Sequence, residues 1–173
     1  FSAVRQLMGL EGAVFAMADD PELVHTIVTD LSGFYSEAYA TLVPEYRLDK
    51  VTCFEDMCSN RAPLLSPAMF NEFFAPGYRK YLGNLKDMGV NQVFIDTDGD
   101  CRLMIPELIA CGFTGLHPCE IKAGMDPRLI LDAYPTLCCN GGIDKKAVAA
   151  GGDVLAQEFY TRFQTAWDFG RYT

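Results

Sequence analysis

The stretch QVFIDTDGD, Gln92 to Asp100, decides how the fold is read. Its first part, Gln92 to Ile95, is apolar on successive residues from Val93, as a strand buried on both faces must be; the residues after Ile95 are rich in aspartate and include a glycine. The same texture recurs at Val51 to Phe54, Phe113 to Leu116 and Thr136 to Cys139, each run succeeded by polar residues. Between the runs lie amphipathic stretches with helix punctuation. Ser66 and Pro67 open one that ends near Gly89, Pro106 stands early in a short one ending at Gly112, Asp126 and Pro127 open a third, and a fourth spans about Asp153 to Phe169. Strands alternating with helices predict βα units in a parallel sheet, and there are four of them.

Working outward, Phe1 to Ala18 places Val4, Leu7, Met8, Gly12 and Phe15 at helical intervals. Asp20, Pro21 and Glu22 then supply a cap, a helix-first proline and a first-turn acid. The second helix presents Val24, Ile27, Val28, Leu31, Phe34, Tyr35 and Ala38 on one face until about Leu42, and Pro44 stops it. Residues 1–50 are thus expected to form a helical lead-in to the four βα units of residues 51–173, in one domain. The 173 residues suffice for a real core, with 50% hydrophobic and 21% charged, but fall short of the roughly 250 of a closed (β/α)8 barrel.

Fourteen Lys plus Arg against 23 Asp plus Glu give a net charge of −9, and no basic stripe is present to neutralise phosphates. Nucleic acid is not an expected partner. The longest apolar runs, such as Gly12 to Ala18, are far below the roughly 20 residues of a membrane span, and the start lacks the basic region of a signal peptide. Seven cysteines, with no CxxC pair and no framework spacing, read as reduced thiols of a cytoplasmic protein. A first residue Phe1 and an end at Thr173 without a polar tail suggest a piece of a longer chain.

Parallel α/β folds build their ligand sites at the carboxyl ends of the strands. Here those positions hold Glu55 and Asp56, then Asp96, Asp98 and Asp100, then His117, Cys119 and Glu120, and finally Asn140 and Asp144. Singly, such residues cap the next helix or bind loop amides. Together they gather carboxylates at one mouth, where mutual repulsion costs stability unless a cation or substrate offsets it. Asp56, Asp96 and Asp98 are the catalytic candidates; Glu55, Asp100, His117, Glu120, Asn140 and Asp144 are the substrate-binding candidates for a small molecule. The spacing of Asp96, Asp98, Asp100 and Glu107 imitates a calcium loop, but Cys101 stands where glycine is required and Pro106 interrupts it. His117 and Cys119 form an H-x-C pair able to hold a soft metal if Cys58 or Cys139 joined it, against the plainer reading of a packed thiol and a histidine bonded to a loop. Cys138 and Cys139 point to opposite faces of a strand, so at most one could join. Gly99, Gly141 and Gly142 come after strands where the backbone must turn sharply or approach a ligand.

Five blocks in order, FEDM at Phe54 to Met57, LSPAMFNEFFAPGYRKYL at Leu65 to Leu82, DTDG at Asp96 to Gly99, GLHPCEIKAGMD at Gly115 to Asp126 and NGGIDK at Asn140 to Lys145, resemble the uroporphyrinogen decarboxylase superfamily. That family includes the decarboxylase of tetrapyrrole synthesis and cobalamin-linked methyltransferases. The opening MGLEG and DDPELVH are similar to its mid-chain helices. The resemblance implies a (β/α)8 TIM barrel of which this chain supplies roughly the last four βα units, completed by an amino-terminal half or by a second copy in a homodimer. It also implies an enzyme of the carboxy-lyase type, with a corrinoid-dependent methyltransferase as the alternative and a non-catalytic binding domain as a third reading.

Residue by residue, Asp56 falls where the decarboxylases carry a serine after the acid of F-[DE]-S, Asp98 and Gly99 fall on a strand-end Asp-Gly or Cys-Gly pair, and NGGID matches their GNLD strand. The decarboxylase uses no cofactor: the substrate pyrrole is its own electron sink, a carboxylate stabilises the protonated ring and arginines bind the acid side chains. The zinc methyltransferases, which work with a corrinoid protein, carry H-x-C where Asp96 and Asp98 stand here. Arg61 and Arg102 are the only strand-end arginines.

Overall fold

A computed structural model describes residues 1–173. Two helices lead in, α1 (Ser2–Asp19) and α2 (Pro21–Leu42). Gly9, at φ 75° and ψ 166°, breaks α1 into two pieces, a kink that glycine alone tolerates and that the apolar spacing did not disclose. Asp20 caps α2 as expected, its side chain accepting from the Leu23 amide at 3.2 Å, with Pro21 in the first turn.

The four strands are β1 (Val51–Phe54), β2 (Val93–Asp96), β3 (Gly115–His117) and β4 (Cys138–Cys139), adjacent in chain order and parallel throughout. The α/β class and the parallel order are therefore as expected. β2 and β3 sit one and two residues later than their apolar runs, so Asp96 and His117 are the last residues of strands, not the first residues of loops. Register partners share a face of the sheet: Val51, Val93, Cys53, Ile95, Leu116 and Cys139 lie on one, and Thr52, Phe54, Phe94, Asp96 and His117 on the other. The first face packs on helices. On the second, Phe94 is covered, whereas Thr52 is exposed and Phe54 is 61% exposed. Burial on both faces thus holds for β2 but fails for β1, an edge strand with nothing over that face.

The stretch expected as one helix from Pro67 is two, α3 (Pro67–Phe73) and α4 (Ala75–Asp87), broken at Phe74. Pro76 explains the break, since it has no amide to donate and its ring clashes with the carbonyl a turn earlier. Next come α5 (Ile105–Cys111) and α6 (Pro127–Ala133), each preceded by a short 3-10 turn, at Arg102–Met104 and Ile121–Ala123. An unanticipated helix α7 (Lys145–Ala150) is capped by Asp144, which accepts from the Lys146 amide at 2.9 Å. Gly151 then redirects the chain into α8 (Gly152–Phe169).

Beyond α8 the chain returns to the sheet. The Cys139 amide donates to the Arg171 carbonyl and the Thr173 amide to the Cys139 carbonyl, both at 2.9 Å, so residues 171–173 extend the sheet beyond β4 in the parallel sense. Arg171 fixes this segment by donating to the carbonyls of Leu131, Tyr134 and Leu137. One continuous core of 33 buried residues lies between sheet and helices, with Ile95, Leu108 and Cys139 fully enclosed. No helix is long and apolar enough to cross a membrane.

Candidate functional site

Parallel strands deliver their carboxyl ends to one rim, and the turns there are forced by glycine. Gly99 takes φ +81°, and a Cβ on it would stand 2.2 Å from the Ser59 carbonyl oxygen. The Asp100 amide donates to that same carbonyl at 2.8 Å, which clamps the loop after β2 to the loop after β1. Thr97, fully enclosed, accepts from the Met57 amide through its hydroxyl and donates its own amide to the His117 carbonyl, tying three strand ends together.

On this frame five of the sequence candidates come together. Asp96 and His117 are register partners on the open face, with His117 Nε2 4.0 Å from Asp96 Oδ2. His117 Nδ1 is buried and has no hydrogen-bond partner. Glu120 accepts from the Gly99 amide at 2.9 Å and from Lys145 Nζ at 2.6 Å. The Lys145 ammonium and the Gly99 amide hold its carboxyl below the usual range. Asp56 pairs with Arg5 at 2.9 Å, and the Asp56 amide donates to the Ser2 hydroxyl.

Asp98 is the exception within the group. It makes no ion pair, and partial burial, then the Glu120 carboxylate, with smaller contributions from Asp56 and Asp96, push its carboxyl above the ordinary value against the pull of Lys145. A carboxyl group with a raised pKa, Asp96 and His117 spaced 4.0 Å apart, and a lysine on the same rim together form a set that can exchange a proton with a bound molecule. Lys145 and Arg5 are the cations the sequence did not disclose: nothing local distinguishes them, because each meets its carboxylate only through the fold, 25 and 51 residues away.

The remaining candidates lie elsewhere. Glu55 is turned to the helix face, where it is buried and accepts from the Ser2 amide at 2.7 Å. Asp100 is occupied in its own loop, with Arg102 donating to both of its oxygens; those bonds hold its carboxyl below the usual range. Asp144 serves as the α7 cap and pairs with Lys122 at 2.7 Å. Asn140 donates to the Thr173 hydroxyl at 2.8 Å. Each of these four side chains has a structural partner within the protein.

The H-x-C pair does not fit zinc. Cys119 is fully enclosed, its thiol directed to the Leu116 carbonyl and the Cys139 sulfur, and that contact together with burial raises its pKa well above the ordinary value, whereas His117 faces Asp96. Zinc binds the thiolate, not the thiol. No three His, Cys, Asp or Glu side chains gather closely enough to hold a metal ion.

Comparison of the sequence with protein-family models and with curated proteins finds no match.

Proposed function

We propose that the chain is part of a uroporphyrinogen decarboxylase superfamily barrel, its last four βα units, and that its strand-end mouth carries out a carboxy-lyase reaction on a small molecule without metal. The observation that supports this most is the set of Asp98, Asp96 and His117 on one rim, a free carboxyl of raised pKa next to a paired histidine. Decarboxylation releases CO2 and leaves an electron pair on carbon, which must be neutralised by one proton. Asp98, which holds its proton to higher pH than an ordinary carboxyl, is placed to donate it, and Lys145, its neighbour, favours return of the ionised form afterwards. The substrate carboxylate requires a cation, and it would compete with Asp56 for Arg5 or with Glu120 for Lys145 on the same rim.

A methyl-transfer reading needs a thiol-activating metal in this family, and Asp96 and Asp98 stand here where its H-x-C ligands would be. The test is release of labelled CO2 from uroporphyrinogen and from smaller carboxymethyl pyrroles by the full-length protein, before and after Asp98→Asn. Turnover unaffected by that substitution, or methyl transfer from a corrinoid protein instead, overturns the reading.

A further inference from the structure

Asp96 and His117 close β2 and β3 as register partners, both on the open face of the sheet. Their backbones are held: the His117 carbonyl accepts from the Thr97 amide at 2.7 Å, and the Asp96 carbonyl from the Glu55 amide at 2.7 Å. Both side chains reach the rim, the imidazole 38% exposed and the carboxylate 30%. Groups carried on strand ends keep their spacing better than groups on loops. That spacing is 4.0 Å between His117 Nε2 and Asp96 Oδ2, beyond a direct hydrogen bond and close to the span of two hydrogen bonds that meet on one oxygen atom.

The other ring nitrogen decides which of the two carries the proton. His117 Nδ1 is buried and has no hydrogen-bond partner. A proton there would be a buried donor left without an acceptor, and it would turn the Nε2 lone pair toward a carboxylate, acceptor against acceptor. With the proton on Nε2, the N–H faces Asp96 and only a lone pair is left without a partner inside. Both ends of the ring therefore favour the Nε2–H form. The rim thus presents a fixed donor beside a fixed acceptor, and each excludes a class of ligand group. A ligand carboxylate meets Asp96 with like charge, and an ammonium, having no lone pair, cannot accept from His117.

We infer that Asp96 and His117 together bind one hydroxyl group of the substrate, which accepts from His117 Nε2–H and donates to Asp96 Oδ2. A hydroxyl is the simplest group that both accepts and donates, and it does so through a single atom that suits the 4.0 Å spacing. An ether oxygen accepts but cannot donate, so the pair distinguishes an alcohol from its methyl ether. The inference rests on the strand-end rim being the ligand mouth, as in the proposed function, and not on the reaction carried out there. It narrows the substrate class from a carboxylic acid to a hydroxy acid, with the hydroxyl at this pair and the carboxylate competing for Arg5 or Lys145 on the same rim.

The probe is glycolate at millimolar concentration, set against acetate, which lacks the hydroxyl, methoxyacetate, which caps it, and malonamate, which carries an amide instead. Proton–nitrogen multiple-bond NMR of the His117 ring in the full-length protein is the readout, assigned by its loss in His117→Gln. In the neutral ring Nε2 is expected to carry the proton and Nδ1 to be bare. Glycolate should shift Nε2 saturably and bind about tenfold more tightly than the other three acids, the worth of one hydrogen bond to a charged acceptor. His117→Gln, whose amide nitrogen falls where Nε2 stands, should keep a preference for glycolate, read from the backbone amide of residue 117. His117→Asn, whose amide nitrogen falls where Nδ1 stands, should lose it at a similar melting temperature. A proton on Nδ1, no shift with glycolate, equal binding of any of the other three acids, or equal preference in the Gln and Asn variants overturns the inference. None of these outcomes measures turnover, so carboxymethyl pyrroles that release no CO2 would strike the proposed reaction alone.

Discussion

Asp98 and Glu120 share one rim and are expected to respond to pH with opposite signs. Asp98 has a raised pKa, so its neutral form is favoured in the folded state and its ionisation at neutral pH is a cost that disappears as the pH falls below its carboxyl range. Asp98→Asn should therefore raise the melting temperature at pH 7, leave it unchanged near pH 3, and reduce decarboxylation by roughly 10²- to 10⁴-fold, the usual contribution of a proton donor. A lower melting temperature at pH 7 would mean that Asp98 is a structural residue. Glu120 has a lowered pKa and adds stability above its unfolded value, lost as pH falls through the lower folded one. Glu120→Gln should cost on the order of 1 kcal/mol at pH 7, roughly 2–4 °C, and nothing at pH 2. Thermal melts across that range check both. The acids of this rim were readable from the sequence because each stands within four residues of the end of an apolar run; Lys145 was not, since Asp144 and Lys146 beside it look equally solvated and only the turn at Gly141 and Gly142 brings it to Glu120.

At the scale of elements, hydrophobic period and caps located all four strands and most helices, because a capped helix such as α2 is determined by residues within a few positions of its own ends. The misses share a cause. The end of β3 is set by a partner strand: His117 joins it because Asp96 lies opposite, although it looks like a loop residue on its own. The break between α3 and α4 needed Pro76 to be weighed against a continuous apolar face, and α7 is too short to show a period. Glycines give the sharpest contrast at this scale. Gly99→Ala adds a left-handed strain to a 2.2 Å collision with backbone that cannot yield, and should cost about 3 kcal/mol or more, detaching the β1 and β2 loops. Gly33→Ala, within α2 and with nothing inside 4 Å of the added carbon, should stabilise by about 0.5–1 kcal/mol. Urea titration of the two variants measures both, and equal effects would refute the assigned role of Gly99.

For the whole molecule the balance lies between net charge and uncovered apolar surface. The chain carries −9, which opposes association of copies, yet α8 presents Phe159, Tyr160, Phe163 and Trp167 outward, with Trp167 77% exposed and its ring 6.3 Å from that of Phe163. Single exposed apolar residues are ordinary, but a continuous aromatic stripe on one helix is the kind of patch that marks a contact surface. Range decides between the two effects. At 0.15 M salt the Debye length is about 8 Å, so the repulsion between copies is largely screened while burial of the aromatic surface is not weakened. Residues 1–173 should therefore sediment as monomer at low ionic strength and associate as salt is added, the reverse of an assembly held by ion pairs. Phe163→Glu with Trp167→Glu should keep the chain monomeric at both salt concentrations with little change in melting temperature, because neither ring contributes to the enclosed core. If the double variant associates as readily as the parent, the contact is not α8, and the uncovered face around Phe54 becomes the surface to substitute next.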